Sequence, residues 1–587
     1  MLMMLFCKSL AIVFAVKQFA SSPVEGFVSS PLSFVRPKSG TAMPVNTGTK
    51  EEHQRFLTAT AVIQGTIRRA SAIVVLCSST SKHAEPTNIK SNTTTNTTPI
   101  KKVVIVGAGP AGLLAAIILL RRNENQPNPR YQVTLVDPGK NLGKLDQNAL
   151  QQRRKRSWMV TLSGHGLSAI QSVDGLYENY ISGSEIDIKR AILSLNENIK
   201  FDLETDESSP PLKVLDRNSV CAGLAKYLND KYDHHKDNDD SKETTNHLIE
   251  GLVSPSPREH TDDVKDLFIT HYHSKALFVD HTEKRVLVRD LHKNDDFYLD
   301  YDLVIGCDGI RSIVRNAIAN TDRNFEYSMR DASGMGKALQ LKRPPTVEPG
   351  SLLMTVNALP NNIIAFTLPQ KGDMLNVNFG LCCDQKDKID PVLLSDDLDG
   401  ISAYFKKHFY AFDIDCDDVA RQWTSQGWNS ISQLNCNIYH NTEHKILIMG
   451  DAAHAASPHI AQGMNTALAD VVAWDTILDE HEDDLCYALE AFSEERVKEG
   501  NALTFLSSFT SSSYSSPSDQ FQFFVGSMVR VFLHRMFPKL YDMDPLLEDI
   551  AKGGRLSAAY DKLCAMGIIK KSPGDLFYSY VNSTSVM

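Results

Sequence analysis

The sequence predicts a mixed α/β fold, in which a parallel sheet assembled from separated segments carries an inserted antiparallel-sheet layer and ends in helices. Three observations predict it. Apolar runs of strand length recur at Val103–Val106, Leu303–Gly306 and Ile446–Met449, each leading into a glycine-bearing turn. Strands that are apolar at every position suit a parallel sheet covered on both faces. Residues 325–385 instead alternate apolar and polar between turn signals, as antiparallel strands do, while the chain from Met464 onward reads as mostly helical.

Composition sets the frame. The 587 residues are 42% hydrophobic and 22% charged, an ordinary globular balance with room for more than one folding unit. A net charge of -10 argues against a general binder of nucleic acid or anionic membranes. Ten cysteines without a CxxC pair argue against a disulfide scaffold or a structural zinc site, and no metal is expected.

Residues 1–99 differ from the rest and read as a targeting segment followed by a linker. Lys8 precedes the apolar run Leu10–Val16, which is too short to span a bilayer, and small residues follow. Residues 1–50 hold one acid, Glu25, against five basic residues and many Ser and Thr. A secretory-type signal followed by a transit-like stretch points to an organelle (plastid or mitochondrion) or to the secretory route. Residues 78–99 are rich in Ser, Thr and Asn, as flexible linkers are, with glycosylation sequons at Asn92 and Asn96.

The folded part is expected over residues 100–545. Val103–Val106, the turn Gly107-x-Gly109-x-x-Gly112, the apolar helix from Leu113 and the strand Gln132–Val136 form a βαβ unit of Rossmann type. Gly107 permits a tight turn, Gly109 lets the backbone approach a pyrophosphate, and Gly112 lets helix and strand pack closely. The diphosphate lies at a helix N-terminus, where N–H groups and the dipole favour an anion. Asp137, closing the second strand, accepts the hydroxyls of an adenosine ribose and disfavours a 2′-phosphate, so the first nucleotide is FAD or NAD. The polar stretch from 229 to about 265 contains His234 and His235, but its charges cannot pack, and it reads as a surface insertion. A sheet insertion is expected at about 325–440, and residues 546–587 read as a C-terminal tail with no apolar run long enough for a transmembrane anchor.

Two more turns carry chemistry. Asp308-Gly309 follows a buried strand in a segment running from Asp300 to Ser312 and Arg315, and Gly450-Asp451 follows another, with His454, Pro458 and Gln462-Gly463-Met464-Asn465 after it. The order GxGxxG, DG, GD resembles the FAD-dependent aromatic hydroxylases of the para-hydroxybenzoate hydroxylase type. Within them, Arg156-Ser157 through Gly166, Leu303–Arg315, and Gly450–Asn465 most resemble the kynurenine 3-monooxygenases.

The resemblance implies a Rossmann-type FAD-binding domain with an inserted antiparallel-sheet substrate domain and a helical C-terminal region. It also implies roles for individual residues. Gly107, Gly109, Gly112 and Asp137 would hold the ADP half of FAD, and Arg156 and Arg217 would contact the cofactor. Asp308 and Gly309 would serve FAD and NADPH, and Asp451 would accept a ribityl hydroxyl. Pro458 lies beside the flavin, while Gly463, Met464 and Asn465 would present backbone N–H groups to the pyrimidine edge, where reduced flavin is negative. His454 would pack structurally. No side chain is assigned as catalytic, because the flavin carries the chemistry: NADPH reduces it, and O2 then delivers one oxygen atom to an electron-rich aromatic ring.

The substrate half of the resemblance is thinner. Arg190 fits a carboxylate-binding arginine, but Lys200–Glu204 lacks the partner tyrosine, the flavin-side stretch reads Pro458–Gly463 with His459-Ile460-Ala461 inside it, and Thr510–Ser516 replaces polar pocket residues with a serine-rich run. Other readings stay open: a flavin halogenase or reductase, or a flavin-binding redox sensor. Trp423 and Trp428 do not have the spacing of a halogenase Trp-x-Trp motif.

Overall fold

The computed structural model of the chain describes residues 99–146, 149–150, 159–204, 212–233, 266–381, 389–509 and 553–569, apart from a few single positions, together with Arg530. The expected targeting segment, the core of the polar insertion, Arg156 and Thr510–Ser516 lie outside the described residues. In chain order the elements begin with β1 (Lys101–Val106), α1 (Pro110–Arg121), β2 (Tyr131–Asp137), β3 (Met159–Leu162), α2 (Gly164–Gln171), β4 (Ile186–Ile188), β5 (Arg190–Ser194) and β6 (Lys200–Glu204). They continue with β7 (Leu212–Asp216), α3 (Arg217–Tyr232), β8 (Phe268–Tyr272), β9 (Ser274–Asp280), β10 (Arg285–Asp290), β11 (Asp296–Asp300), β12 (Leu303–Gly306) and α4 (Ile313–Thr321). Next come β13 (Tyr327–Lys342), β14 (Ser351–Leu359), β15 (Ile363–Gln370), β16 (Met374–Leu381), α5 (Leu398–His408), α6 (Cys416–Ser425) and β17 (Asn429–Cys436). The last are β18 (His440–Asn441), β19 (Ile446–Ile448), α7 (Asp451–His454), α8 (Gly463–Glu480), α9 (Leu485–Phe509) and α10 (Leu556–Ala565).

The first sheet has the order β18-β19-β12-β1-β2-β8, parallel except at its β18 edge. Its central strands are apolar at successive positions because both faces are covered, with α1, α4 and the antiparallel sheet β9–β11 packing into the same core: Val103, Val104 and Ile105 are buried, and so is every residue of α1 from Pro110 to Leu120. That burial is why α1 shows no polar face. Three distant segments therefore supply three adjacent strands, β19, β12 and β1, whose C-terminal ends carry the three glycine turns.

The second sheet has the order β17-β13-β16-β15-β14-β5-β6. It is antiparallel except where β14 runs parallel to β5. Five strands fall within the expected 325–440 insertion, and β5 and β6 join from residues 190–204, upstream of it. The alternation works as period-2 patterning predicts: Leu339, Val377, Phe379 and Ile363 face one core with α5 and α6, where Phe405 and Trp423 pack edge-on against Phe379. Ala191, Leu352, Met354 and Leu368 face the other way, with Ile188 and Val214.

One expectation is corrected. Residues 553–569 are not tail: α10 buries Leu556, Ala559, Tyr560 and Leu563 against Ala502, Leu503 and Leu506 of α9 and against Ile460. The spacing i, i+3, i+4, i+7 is that of one helical face. Glu499 of α9 holds the start of this helix, accepting from the Leu556 N–H at 2.9 Å and from Ser557. Among the described residues, no helix is long and apolar enough to cross a membrane.

Candidate functional site: a dinucleotide cleft

The first turn is built around three glycines. Gly107 has φ +105, and a Cβ there would lie 2.3 Å from the Cys307 carbonyl oxygen. A Cβ on Gly112 would lie 1.9 Å from the Gly107 oxygen, so α1 can approach the turn only without one. Gly109 differs. A Cβ there would meet only the Arg217 guanidinium, at 3.6 Å, so the space it opens is filled by no protein atom. No side chain caps α1, which leaves its first N–H groups aimed into that space.

Asp137 is held from two sides, accepting from the Ala108 N–H at 2.7 Å and the Gly139 N–H at 2.6 Å. Each carboxylate oxygen keeps a second lone pair for a ribose hydroxyl. Arg217 opens α3 across from Gly109, on a helix whose start is fixed by Asp216, which accepts from Asn218 and Ser219. Gly109, Asp137, Arg217, Cys221 and Tyr272 line a cavity of about 170 Å³.

The second and third turns sit beside the first. Asp308 accepts from the Ile313 N–H at 2.7 Å through Oδ2, while its Oδ1 is buried with no partner. Burial pushes its carboxyl up against the opposing hydrogen bonds of Ser312 and Ile313. Gly309 has φ +75, and a Cβ there would meet nothing within 4 Å. Gly450 has φ +58 and ψ -139, a conformation for glycine, and presents Asp451 exposed at the start of α7. Gly463 opens α8, an 18-residue helix without a side-chain cap, and a Cβ there would also meet nothing within 4 Å. Pro458 is exposed and starts the short turn Pro458–Ile460, which ends at Ala461 with φ +53. Met464 is partly buried against the first core.

These features fit a flavin dinucleotide: two uncapped helix starts, glycines facing empty space, a ribose-binding carboxylate, a cation across the turn and an orphaned acceptor between. The sequence did not reveal what holds the turns in place. Asn465 is fully buried and acts through its side chain as well as its backbone. It accepts from Ser163 N–H at 3.0 Å and donates to the Thr161 and Ala461 carbonyls at 3.0 and 3.1 Å, tying β3 to α8. Asp470 of α8 accepts from Gly450 N–H at 3.0 Å, His454 Nε2 at 2.6 Å and Arg496 Nε at 2.7 Å. Burial raises the Asp470 carboxyl, but His454, Arg496 and the Gly450 hydrogen bond outweigh it and bring it down to about 2. His454 is thus buried and bonded to Asp470. Arg315 donates to the Ala452 carbonyl at 3.0 Å and the Ile310 carbonyl at 2.7 Å, clamping the second turn to the third.

Arg190 lies on β5 of the second sheet. On β5 it pairs in register with Ser351, while Ile192 pairs with Leu353 and packs into the core under α5 and α6. Arg190 shares that face with Ile192, whereas Ala191 points to the side facing β7. Its guanidinium lies 2.9 Å from the Glu348 carboxylate.

Comparison with known proteins agrees with the cleft. The sequence profile of a family described as FAD binding domain matches residues 268–504. Violacein synthase of Chromobacterium violaceum is 27% identical over 289 residues, 47% of this chain and 63% of that protein. Kynurenine 3-monooxygenase of Cryptococcus neoformans (strain B-3501A) is 25% identical over 430 residues, 68% of this chain and 75% of that one. The pig kynurenine 3-monooxygenase matches at 25% over 244 residues, and the chain spans half of its length. Among solved structures, a probable FAD-dependent monooxygenase from Pseudomonas aeruginosa superposes with TM-score 0.49 at 16% identity, covering 73% of this chain and all of that one. The chain is thus similar to violacein synthase and the kynurenine 3-monooxygenases, and FAD, the ligand for which the profile over residues 268–504 is described, is its cofactor.

Proposed function

We propose that the protein is a single-component monooxygenase that uses NADPH and O2 to hydroxylate an electron-rich aromatic ring. One oxygen atom enters the ring, the other leaves as water, and NADPH supplies the two electrons. The observation that supports this best is the adjacency of the three glycine turns at the C-terminal ends of β1, β12 and β19, where ligands of open α/β sheets bind. Bound FAD supplies the hydride acceptance and the oxygen activation. The chain's own residues do the rest. Gly109 and Arg217 hold the diphosphate, and Asp137 holds the adenosine ribose. Asp308 and Gly309 line the path between the turns, and Asp451 accepts a ribityl hydroxyl. The N–H groups of Gly463, Met464 and Asn465 face the pyrimidine edge, where they favour the anionic reduced ring. Pro458 would border the ring; Arg156, outside the described residues, keeps the cofactor-contacting role that the resemblance implies.

L-Kynurenine is the first substrate to test, since several relatives of this chain are kynurenine 3-monooxygenases. Those relatives are only about 25% identical, so the panel must be wider. The experiment is NADPH oxidation and product analysis across aromatic amino acids, aminophenyl ketones and phenols. A hydroxylated product formed in step with substrate-stimulated NADPH oxidation supports the reading. A yellow protein whose NADPH oxidation no aromatic compound stimulates counts against it and favours a redox-sensing flavoprotein. We also propose that residues 1–99 direct the protein to an organelle or the secretory route and are dispensable for catalysis. A chain starting at Ile100 should fold and retain FAD.

A further inference from the structure

The seven-stranded sheet has one face that α5 and α6 do not cover. Leu339, Val377 and Phe379 point to those helices, so Gln340, Asn376 and Asn378 point the other way. Phe366 and Leu368 share this second face, paired across from Asn378 and Asn376. The same face reaches the turn that Pro458 starts. On β17, Asn429 pairs with Gly336, and two-residue alternation puts Gln433 and Asn435 on that side. Both donate to α9, to Ser507 at 3.2 Å and to Asn501 at 2.8 Å. Ile460 packs on Leu503 and Leu506 of the same helix, and the Ala455 carbonyl accepts from the Leu434 N–H at 2.8 Å. Asn378 stands two strands away from β17, or about 10 Å at ordinary strand spacing.

The orientation of the Asn378 amide is fixed. Its Nδ2 donates to Asn376 Oδ1 at 2.8 Å and to the Phe366 carbonyl at 3.4 Å. Its Oδ1 therefore turns away from both, and that oxygen has no partner. With its donor engaged, the carboxamide offers an acceptor only. Gln370, on the same face, leaves its Oε1 without a partner as well. Among the described residues at 336–340, 364–370 and 374–380, this face carries no charged side chain. Gly380 leaves space beside Asn378: a Cβ there would meet the Ile364 side chain at 3.4 Å, an ordinary contact, so protein packing does not require the glycine.

We propose that Asn378 selects the aromatic substrate, and that it selects an uncharged ring bearing an N–H or O–H donor. The inference rests on the monooxygenase reading and narrows it. A donor satisfies Oδ1, which is otherwise buried without a bond. A carboxylate would set its oxygens against Oδ1, with no cation on this face to offset the burial of its charge. A hydroxyl or amino group also makes the ring electron-rich, as the proposed oxygen transfer requires, so recognition and reactivity select the same substituent.

The test uses the FAD-loaded full-length protein and matched compounds. 2-Aminoacetophenone, phenol and indole carry a donor. 2-(Dimethylamino)acetophenone, anisole and N-methylindole are the same rings without it, and L-kynurenine and 4-hydroxybenzoate add a carboxylate. Dissociation constants from calorimetry and stimulation of NADPH oxidation are measured for wild type, Asn378→Leu and Asn378→Asp. In wild type at least one donor compound should bind about tenfold or more tightly than its methylated partner. Asn378→Leu should erase that gap, and Asn378→Asp, which keeps an oxygen at the free position, should retain it. FAD content should match wild type in both variants. A wild type without the gap, or a gap that survives in Asn378→Leu, overturns the assignment to Asn378. Equal loss in both variants assigns the amide to holding Phe366 and Asn376 and overturns it too. L-Kynurenine bound at least as tightly as 2-aminoacetophenone overturns the substrate class. A wild type that holds FAD but is stimulated by none of these compounds overturns both the proposal and the monooxygenase reading beneath it.

Discussion

Two buried charges separate the two halves of the molecule. On the cofactor side, fully buried Asp470 accepts from the Arg496 guanidinium on one oxygen and from His454 Nε2 and the Gly450 N–H on the other, and these neighbours favour its ionised form. In the sheet layer, Lys337 is 5% exposed and has no carboxylate within hydrogen-bonding reach among the described residues. Its ammonium donates to the Trp423 and Gln426 carbonyls and lies 4.8 and 5.2 Å from the Trp423 and Trp428 rings. Carbonyls and ring faces compensate burial only partly, and the Lys337 pKa falls to about 8. The difference shows where conformational definition is concentrated. The cofactor turns are locked by ionic contacts from distant helices, whereas the sheet layer is held by packing and carries a charge at a cost.

The sharpest way to break this comparison is at the glycines. Gly112→Val places atoms inside the Gly107 carbonyl and should leave no stable FAD-loaded protein, a loss well beyond the ~1–3 kcal/mol of ordinary overpacking. Gly109→Val meets no protein backbone, so it should fold with a thermal midpoint near wild type yet bind no FAD. Measuring flavin absorbance and melting temperature on both separates a structural glycine from a ligand-facing one. A Gly109→Val protein holding stoichiometric FAD would refute the cleft.

Asp470→Asn comes next. It leaves Arg496 and His454 buried against a neutral amide and should cost about 3–5 kcal/mol. Acid unfolding tests the same contact. The folded carboxyl, at about 2, lies below its ordinary value of 3.8, so its stabilisation is complete above about pH 4 and is lost as pH falls towards 2. The variant's stability should therefore be flatter than wild type in that window. FAD affinity should fall in parallel, since the single amide oxygen cannot serve both Arg496 and the Gly450 turn. An unchanged FAD dissociation constant would show that the turn does not depend on this carboxylate.

What could be read from the sequence follows the range of the interactions. Glycine turns, strand runs and Asp137 are local features, and each predicted turn is found where a strand ends. Asp470 and Arg496 were missed because their meaning lies in contacts 16 to 26 residues apart, Asp470 to Gly450 and His454 and Arg496 to Asp470, which no periodicity reports. Arg315 was within the quoted motif, but its clamp on Ala452 spans 137 residues. The apolar spacing Leu556, Ala559, Tyr560, Leu563 was available and marks α10 as a packed helix. The joining of β5 to β14 was not available, because a short strand carries no record of its partner. Arg190 was assigned by likeness of neighbouring residues, and only strand register showed which face it occupies.

Lys337 gives a smaller effect with the same sign of pH slope, but from a charge whose burial destabilises rather than stabilises. Its folded pKa, about 8, lies below the ordinary 10.5, so between these values the unfolded chain binds the extra proton and stability rises with pH. The Lys337→Met variant keeps the stem and drops the charge, and should lose that rise. Melting curves of both proteins from pH 7 to 10 provide the check. Equal slopes would mean that the ammonium is solvated rather than enclosed by the two indoles.

The smallest expected effect is at Arg190, and it bears directly on the substrate half. The Arg190–Glu348 pair is partly exposed, with side-chain exposures of 35% and 67%, and pairs of this kind contribute about 0–1 kcal/mol. Arg190→Ala should therefore shift the melting temperature by no more than a few degrees. Because Arg190 shares the face of Ile192 under α5 and α6, the same variant should also leave substrate KM within about twofold of wild type. Removing a charged partner from a substrate carboxylate would instead cost about 1.5–3 kcal/mol, or roughly tenfold to a hundredfold in affinity. The two outcomes are far enough apart for steady-state kinetics to separate. A large rise in KM with unchanged stability would restore Arg190 to the substrate site, and would require β5 to present it to the flavin side through release of Glu348.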